Sequence, residues 1–281
     1  VGRHHTNFWL QKINPLWSIH QALGKIIEKN QSAQDTISLT IEVNRHFKMG
    51  QAGQHHPVIV EVNGRRYERT YSLTQLDAHR VLLTVKKVAE GIVSQWLTET
   101  AQIGDVLEFG QPYGEMLIPK TEQPLILLAA GSGITTMYSL VKKLDELGHL
   151  GQKSVRLMYW VKKNQDTVFK KQFETIAEQY PSFKFDVFYT QENPSDARLN
   201  AEYLDQIQSL EKSIVYVCGP SGFVTTAEQL FKKAQQFKSE AFSLTPIISE
   251  ETGFINVTLT QSNKVVAIQK GQSILLGLEQ Q

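Results

Sequence analysis

A chain of 281 residues, 41% apolar and 20% charged, has the composition of an ordinary folded protein with room for two domains. Its 29 basic and 28 acidic residues leave a formal net charge of +1, which argues against a general nucleic-acid binder. The one cysteine, Cys218, excludes a disulfide framework or a zinc cluster within the chain and is consistent with a cytoplasmic protein; no apolar run reaches the length of a membrane span and no stretch reads as a signal peptide.

Between residues 8 and 27 the apolar positions are Phe8, Ile13, Leu16, Trp17, Ile19, Leu23, Ile26 and Ile27. The spacing is partly helical and predicts an amphipathic helix over 16–28, inside an N-terminal helical extension of residues 1–34. Phe8, Trp9 and Trp17 raise the idea of a membrane or partner contact. The polybasic face that lipid binding asks for is missing, so packing on its own domain is the expectation.

Residues 35–119 read as short strands separated by turns. Apolar residues alternate over 36–43, 58–62 and 81–88, and Gln51-Ala52-Gly53-Gln54 and Asn63-Gly64 mark turns. Even spacing of short strands predicts a small antiparallel barrel. Within it stands Arg69-Thr70-Tyr71-Ser72. Residues two apart on a strand share a face, so Arg69 and Tyr71 can present a guanidinium fork and a flat ring to one molecule. The plain alternative is a surface Arg beside a strand Tyr. Gly91-Ile92-Val93-Ser94 opens a short helix over 94–98, whose first amides suit a phosphate. Gly110-Gln111-Pro112-Tyr113-Gly114 is a tight turn.

From residue 120 to 242 the texture changes. Residues 125–130 are continuously apolar, as in a strand buried on both faces, and run into Gly131-Ser132-Gly133-Ile134-Thr135 and a helix over 136–147. Strand, glycine turn and helix together suit a phosphate, although the third glycine of the ordinary dinucleotide fingerprint is absent. Strands over 155–161, 183–189 and 214–217 alternate with helices over 166–179, 201–207 and 223–235, which predicts a doubly wound parallel sheet binding ligand beyond its strand ends. The second strand ends in Lys162-Lys163 with no acid, which favours a 2′-phosphate and hence NADPH over NADH; the alternative is two solvated loop lysines. The last strand ends Cys218-Gly219-Pro220, placing the thiol where such a sheet binds ligand; the alternative is a buried apolar thiol. Phe242 follows. Residues 243–253 read as a linker, and the tail, 254–281, as a hairpin over 254–259 and 264–268 with a helix over 272–279.

Taken in order, these motifs resemble the ferredoxin-NADP reductase-like flavoproteins. Arg69-Thr70-Tyr71-Ser72 is similar to the family's Arg-x-Tyr-Ser, Gly91 to Ser94 to its Gly-x-Val-Ser, the glycine turn to its Gly-x-Gly-Ile-Thr-Pro with Thr136 in place of the proline, and Cys218-Gly219-Pro220 to its Cys-Gly-Pro. The resemblance covers about 35–242. It implies an FAD-binding barrel followed by an NAD(P)-binding α/β domain, in an α+β and α/β multidomain chain. Arg69 would hold the flavin phosphate, Tyr71 pack on the isoalloxazine and Ser72 bond near N5. Gly91, Val93 and Ser94 would lie under the pyrophosphate. Gly131, Ser132, Gly133, Thr135, Lys162, Gly219 and Pro220 would hold the nicotinamide cofactor, with Cys218 near its C4, and Phe242 would cover the other flavin face. Ser72 and Cys218 are the catalytic candidates.

The tail resembles the start of a plant-type [2Fe-2S] ferredoxin domain, a partial β-grasp fragment. The cluster cysteines that follow in such domains do not occur before Gln281, and the expectation is that a distal segment carries them. The implied activity is hydride transfer from NADPH to FAD and single-electron delivery, through that domain, to an oxygenase or a membrane desaturase, with the protein cytoplasmic or peripheral to such a partner. A non-catalytic flavin-binding relay subunit and an NADPH-dependent flavin reductase are the alternatives.

Overall fold

The computed structural model describes residues 14–193, 198–242, 253–259 and 264–269, together with Leu278. It divides into two units, residues 1–242 and 243–281. The first unit begins with β1 (Leu23–Ala33), β2 (Thr36–Val43), β3 (His55–Val62), β4 (Arg65–Gln75), β5 (Arg80–Lys86) and β6 (Val106–Phe109). These close into an antiparallel barrel in the order β1-β2-β5-β4-β3-β6. Alternation puts Ile37, Leu39 and Ile41 of β2 inside with Val58, Val60, Leu73, Leu83 and Leu107. The helix α1 (Ile92–Gln95) runs into a single π turn, Trp96–Thr100, and adds Val93 and Leu97 to that core.

The helix expected over 16–28, and with it the helical character of an extension over 1–34, is corrected here. Residues 14–22 form turns and bends, and β1 is a wall of the barrel, paired with β2 and β6. The misleading spacing has a local cause. The β1–β2 register slips between Ile26 and Glu28, a bulge that breaks the two-residue alternation and leaves Leu23, Ile26 and Ile27 at near-helical intervals. Asn44 fixes the entry to the strand, donating from Nδ2 to the Leu16 and Gln21 carbonyls at 3.1 and 2.9 Å. Residues 1–13 lie outside the described residues.

The second half of the unit holds β7 (Leu125–Ala130), α2 (Ile134–Glu146), β8 (Val155–Val161), α3 (Lys170–Gln179), β9 (Phe183–Tyr189), β10 (Ile214–Gly219), α4 (Ser221–Leu230) and β11 (Gln236–Ala241). The strands form one parallel sheet in the order β11-β10-β7-β8-β9. β7 shows why its sequence is continuously apolar. Leu125, Leu127 and Ala129 pack on one face with α2 and Phe173, while Ile126, Leu128 and Ala130 pack on the other with Tyr203, Val224 and Phe231. Each fully buried Leu is worth about 1.5–3 kcal/mol, so neither face can be given up. The stretch expected as a helix over 201–207 is a 3-10 segment, Ala201–Gln206, and the helix expected over 223–235 ends at Leu230, leaving room for the edge strand β11.

Because β10 returns to the near side of β7, the winding reverses between these two strands, and their carboxyl ends open a crevice. The Gly131–Gly133 turn sits there. Gly131 adopts a φ of 55° and leads into α2; a side chain on Gly133 would overlap the Cys218 carbonyl, so only glycine lets the turn lie against β10. The barrel is pinned to the sheet by Gly53 N–H donating to Ser139 Oγ of α2 at 2.9 Å and by Tyr216 Oη donating to the Leu117 carbonyl at 2.6 Å.

In the second unit β12 (Phe254–Leu259) and β13 (Lys264–Gln269) form an antiparallel hairpin, as expected from the alternation. The helix expected over 272–279 lies outside the described residues except for Leu278.

Candidate functional site

A cavity of about 740 Å³ lies between the barrel and the sheet. β4 supplies Arg69, Thr70, Tyr71 and Ser72, which pair with His55 to Val58 of β3 in unbroken register. The Gly91 turn supplies Gly91, Val93 and Ser94. The sheet supplies Ser132 and Thr135 from the start of α2, and Glu240, Ala241 and Phe242 from the end of β11. Phe242 is held there by its N–H donating to the Gly219 carbonyl at 3.1 Å, and is 45% exposed.

Each predicted residue has a definite place. Tyr71 is enclosed, and burial raises its phenol pKa to about 12 against a lowering by Arg69, so it faces the cavity as a neutral ring. Thr70 Oγ1 bonds Tyr113 Oη at 2.8 Å, which locks the Pro112-Tyr113 turn to β4. Ser94 is spent on its own turn: its Oγ donates to the Gly91 carbonyl at 3.0 Å and accepts the Val88 N–H at 3.1 Å. The helix itself starts at Ile92 rather than at residue 94. Gly131 borders a smaller hollow with Ser132, Thr135, Thr84 and Lys86. Lys162 is exposed at the end of β8, away from the main cavity.

Cys218 stands at the carboxyl end of β10, where it was expected, but it does not line the cavity. It is fully buried one layer behind the wall, and burial pushes its thiol up so that it keeps its proton. Thr136 Oγ1 lies 3.4 Å from Cys218 Sγ and 2.8 Å from Ser72 Oγ. Gly219 is buried beside it and Pro220 caps α4.

Members of the wall that the sequence reading did not single out include His55, Tyr113, Glu240 and the pair Lys86-Lys87. His55 precedes the apolar run of β3, Tyr113 sits in a turn noted only for its glycines, and Glu240 lies on a polar edge strand without an apolar pattern. His55 Nδ1 faces Glu240 Oε2 at 3.5 Å, and its ring meets Tyr113 edge-on at 4.3 Å between centroids. The signal for Glu240 was its place two residues before Phe242.

The donor set fits a flavin dinucleotide. Arg69, Lys86 and Lys87 outnumber the one acid of the wall, Glu240; Tyr71 and Phe242 offer flat faces; and the volume falls within the usual cofactor range of about 300–1,000 Å³. A closed antiparallel barrel joined to a doubly wound sheet over such a cavity defines an FAD- and NAD-binding oxidoreductase. Residues 23–118 match the description "Oxidoreductase FAD-binding domain" and residues 127–229 "Oxidoreductase NAD-binding domain". The chain belongs to the ferredoxin-NADP reductase-like family and is an NAD(P)H-dependent flavoprotein reductase.

Similar proteins include an NADPH oxidoreductase of Mycobacterium tuberculosis, 27% identical over 278 residues that cover 95% of this chain and 72% of the relative. The toluate 1,2-dioxygenase electron transfer component of Pseudomonas putida is 26% identical over 72% of this chain, which spans only 60% of that relative's length. Among solved structures, phthalate dioxygenase reductase superposes with a TM-score of 0.69 at 25% identity, over 92% of this chain and 79% of that one. Its description is of a modular structure for electron transfer from pyridine nucleotides to [2Fe-2S]. Among the described residues no helix is long and apolar enough to cross a membrane.

Proposed function

We propose that this chain takes hydride from NADPH onto FAD held in the barrel–sheet cavity and serves as the electron-supply component of an oxygenase or a fatty-acyl desaturase, through a [2Fe-2S] domain of which residues 254–281 are the start. FAD bound there would accept the hydride pair from nicotinamide C4 and release electrons one at a time. The observation that carries the reading is the convergence of Arg69, Tyr71 and Ser72 from one strand with Ser132, Thr135 and Phe242 from the sheet on a single cavity.

The chain's own residues have separable tasks. Arg69 clamps phosphate, a charged bond worth about 1.5–3 kcal/mol. Tyr71 and Phe242 bound the ring and keep water from it. Ser72 presents its hydroxyl at the inner wall. The Gly131–Gly133 turn receives the nicotinamide cofactor's pyrophosphate at the crevice beside β10. Lys162 meets the 2′-phosphate. Cys218 acts from behind the wall, setting the depth at which the nicotinamide stops.

Similarity to the toluate 1,2-dioxygenase component and to phthalate dioxygenase reductase supports the protein acceptor, and the β12–β13 hairpin supports the ferredoxin-like start. The test is anaerobic. Protein loaded with FAD should be yellow and should bleach with NADPH faster than with NADH. A protein that takes up no flavin, or whose flavin neither nucleotide bleaches, rules the reading out.

A further inference from the structure

Behind the inner wall of the cavity three side chains from three elements form one hydrogen-bonded line. Ser72 of β4 reaches Thr136 of α2 at 2.8 Å, and Thr136 reaches Cys218 of β10 at 3.4 Å. All three are buried, Thr136 and Cys218 completely, and of the three only Ser72 touches the cavity. Thr136 is also the position at which this chain departs from the glycine-turn pattern, having a hydroxyl where a proline would have none.

The protons of this line can be counted. Each side chain brings one hydrogen, and the two links use two, so one is left over. A thiol that keeps its proton can donate it, and Thr136 Oγ1, at 3.4 Å, stands within reach as an acceptor. In that order the Thr136 hydrogen goes to Ser72 Oγ, 2.8 Å away. The hydrogen left over is that of Ser72, the one group of the line on the cavity wall. A second hydroxyl one turn along the same helix, Ser139, accepts the Gly53 N–H and holds α2 in register against the barrel.

We infer that Thr136 is a positioning residue that orders these protons: it accepts from the Cys218 thiol, donates to Ser72, and so frees the Ser72 hydrogen for an acceptor atom on a ligand in the cavity. The nature of that ligand, a flavin ring nitrogen, rests on the function proposed above. The proton order itself belongs to the empty protein as well.

Because Cys218 is the chain's only cysteine, its S–H stretching band in the infrared reports one bond. In flavin-free protein Thr136→Val should move the band to the higher frequency of a thiol without an acceptor, while Thr136→Ser should leave it in place. In FAD-loaded protein Thr136→Val should alter the fine structure of the flavin absorption band and slow hydride reduction about threefold to tenfold with little change in KM, the size expected for one oriented neutral hydrogen bond, and Thr136→Ser should restore both. A band that Thr136→Val does not move overturns the inference, as do a flavin spectrum and reduction rate equal to wild type. A shifted band in a protein that takes up no flavin would remove the flavin reading and leave the proton order standing.

Discussion

His55 of the barrel and Glu240 of the sheet face one another across the cavity wall, Nδ1 to Oε2, at 3.5 Å. The distance is too long for a hydrogen bond, and neither atom has another hydrogen-bond partner. The pair joins the two halves of the first unit at the cavity wall. Their docking nevertheless rests on the shorter bonds of Ser139 and Tyr216. A double-mutant cycle of His55→Ala and Glu240→Ala should therefore give a coupling below about 1 kcal/mol in denaturant unfolding, weakened further by salt. A coupling several times larger would make this pair a principal clamp.

Arg69 bears the phosphate in the proposed function. Arg69→Ala should weaken FAD binding about tenfold to a hundredfold, the equivalent of one charged hydrogen bond, in a flavin-fluorescence titration. Full retention of flavin after dialysis would remove the assignment.

Lys162 is exposed where β8 ends. If it meets the 2′-phosphate, Lys162→Glu should lower kcat/KM for NADPH by about tenfold or more and leave that for NADH nearly unchanged. Equal losses with both nucleotides would place the 2′-phosphate elsewhere.

Gly133 is fixed by packing. Gly133→Ala drives a methyl into the Cys218 carbonyl, and backbone cannot swing aside as a side chain can. The variant should lose about 1–3 kcal/mol or more of unfolding free energy, read from a urea titration. A stability equal to wild type would mean that the turn and β10 separate easily.

His56 makes stability depend on pH. It is wholly buried, stacked 5.4 Å from Phe47, with Nε2 accepting the Gly50 N–H at 3.1 Å. Burial, opposed by the Lys48 carbonyl and aided by His55, lowers its pKa from 6.5 to about 4. The unfolded chain takes up a proton as pH falls through 6.5, whereas the folded chain resists until about 4. The contribution is complete above pH 6.5 and is lost as pH falls through that window, on the order of 3 kcal/mol in all. Unfolding free energies at pH 7.5 and 4.5 should differ by less in His56→Gln than in wild type.

How far the sequence could be read depended on the kind of burial each residue undergoes. β7 was legible because both of its faces are covered, so every position must be apolar, and β10 reads the same way for the same reason. β2, β8 and β9 were legible for the related reason that alternation or continuity of apolar residues survives unbroken along their length. β1 was not, because a bulge between Ile26 and Glu28 converts a strand pattern into a helical one, and closure of a barrel is decided by partners far along the chain. β11 was not, because an edge strand carries polar residues that avoid aggregation and reveal no core face.

The same division runs through the site. Arg69, Tyr71, Ser72 and the glycines of 131–133 announce themselves because local backbone geometry and side-chain chemistry demand those residue types at those intervals. That Cys218 lies behind the wall and Thr136 stands between it and Ser72 follows from the docking of α2 on the barrel, as does the meeting of His55 with Glu240. Those contacts join residues 64, 82 and 185 positions apart (Ser72 to Thr136, Thr136 to Cys218, His55 to Glu240). Local propensity acts over a few residues. Contacts of that span exist only once packing has brought distant elements together, within the sheet half for Thr136 and Cys218 and between the two cores for the other two.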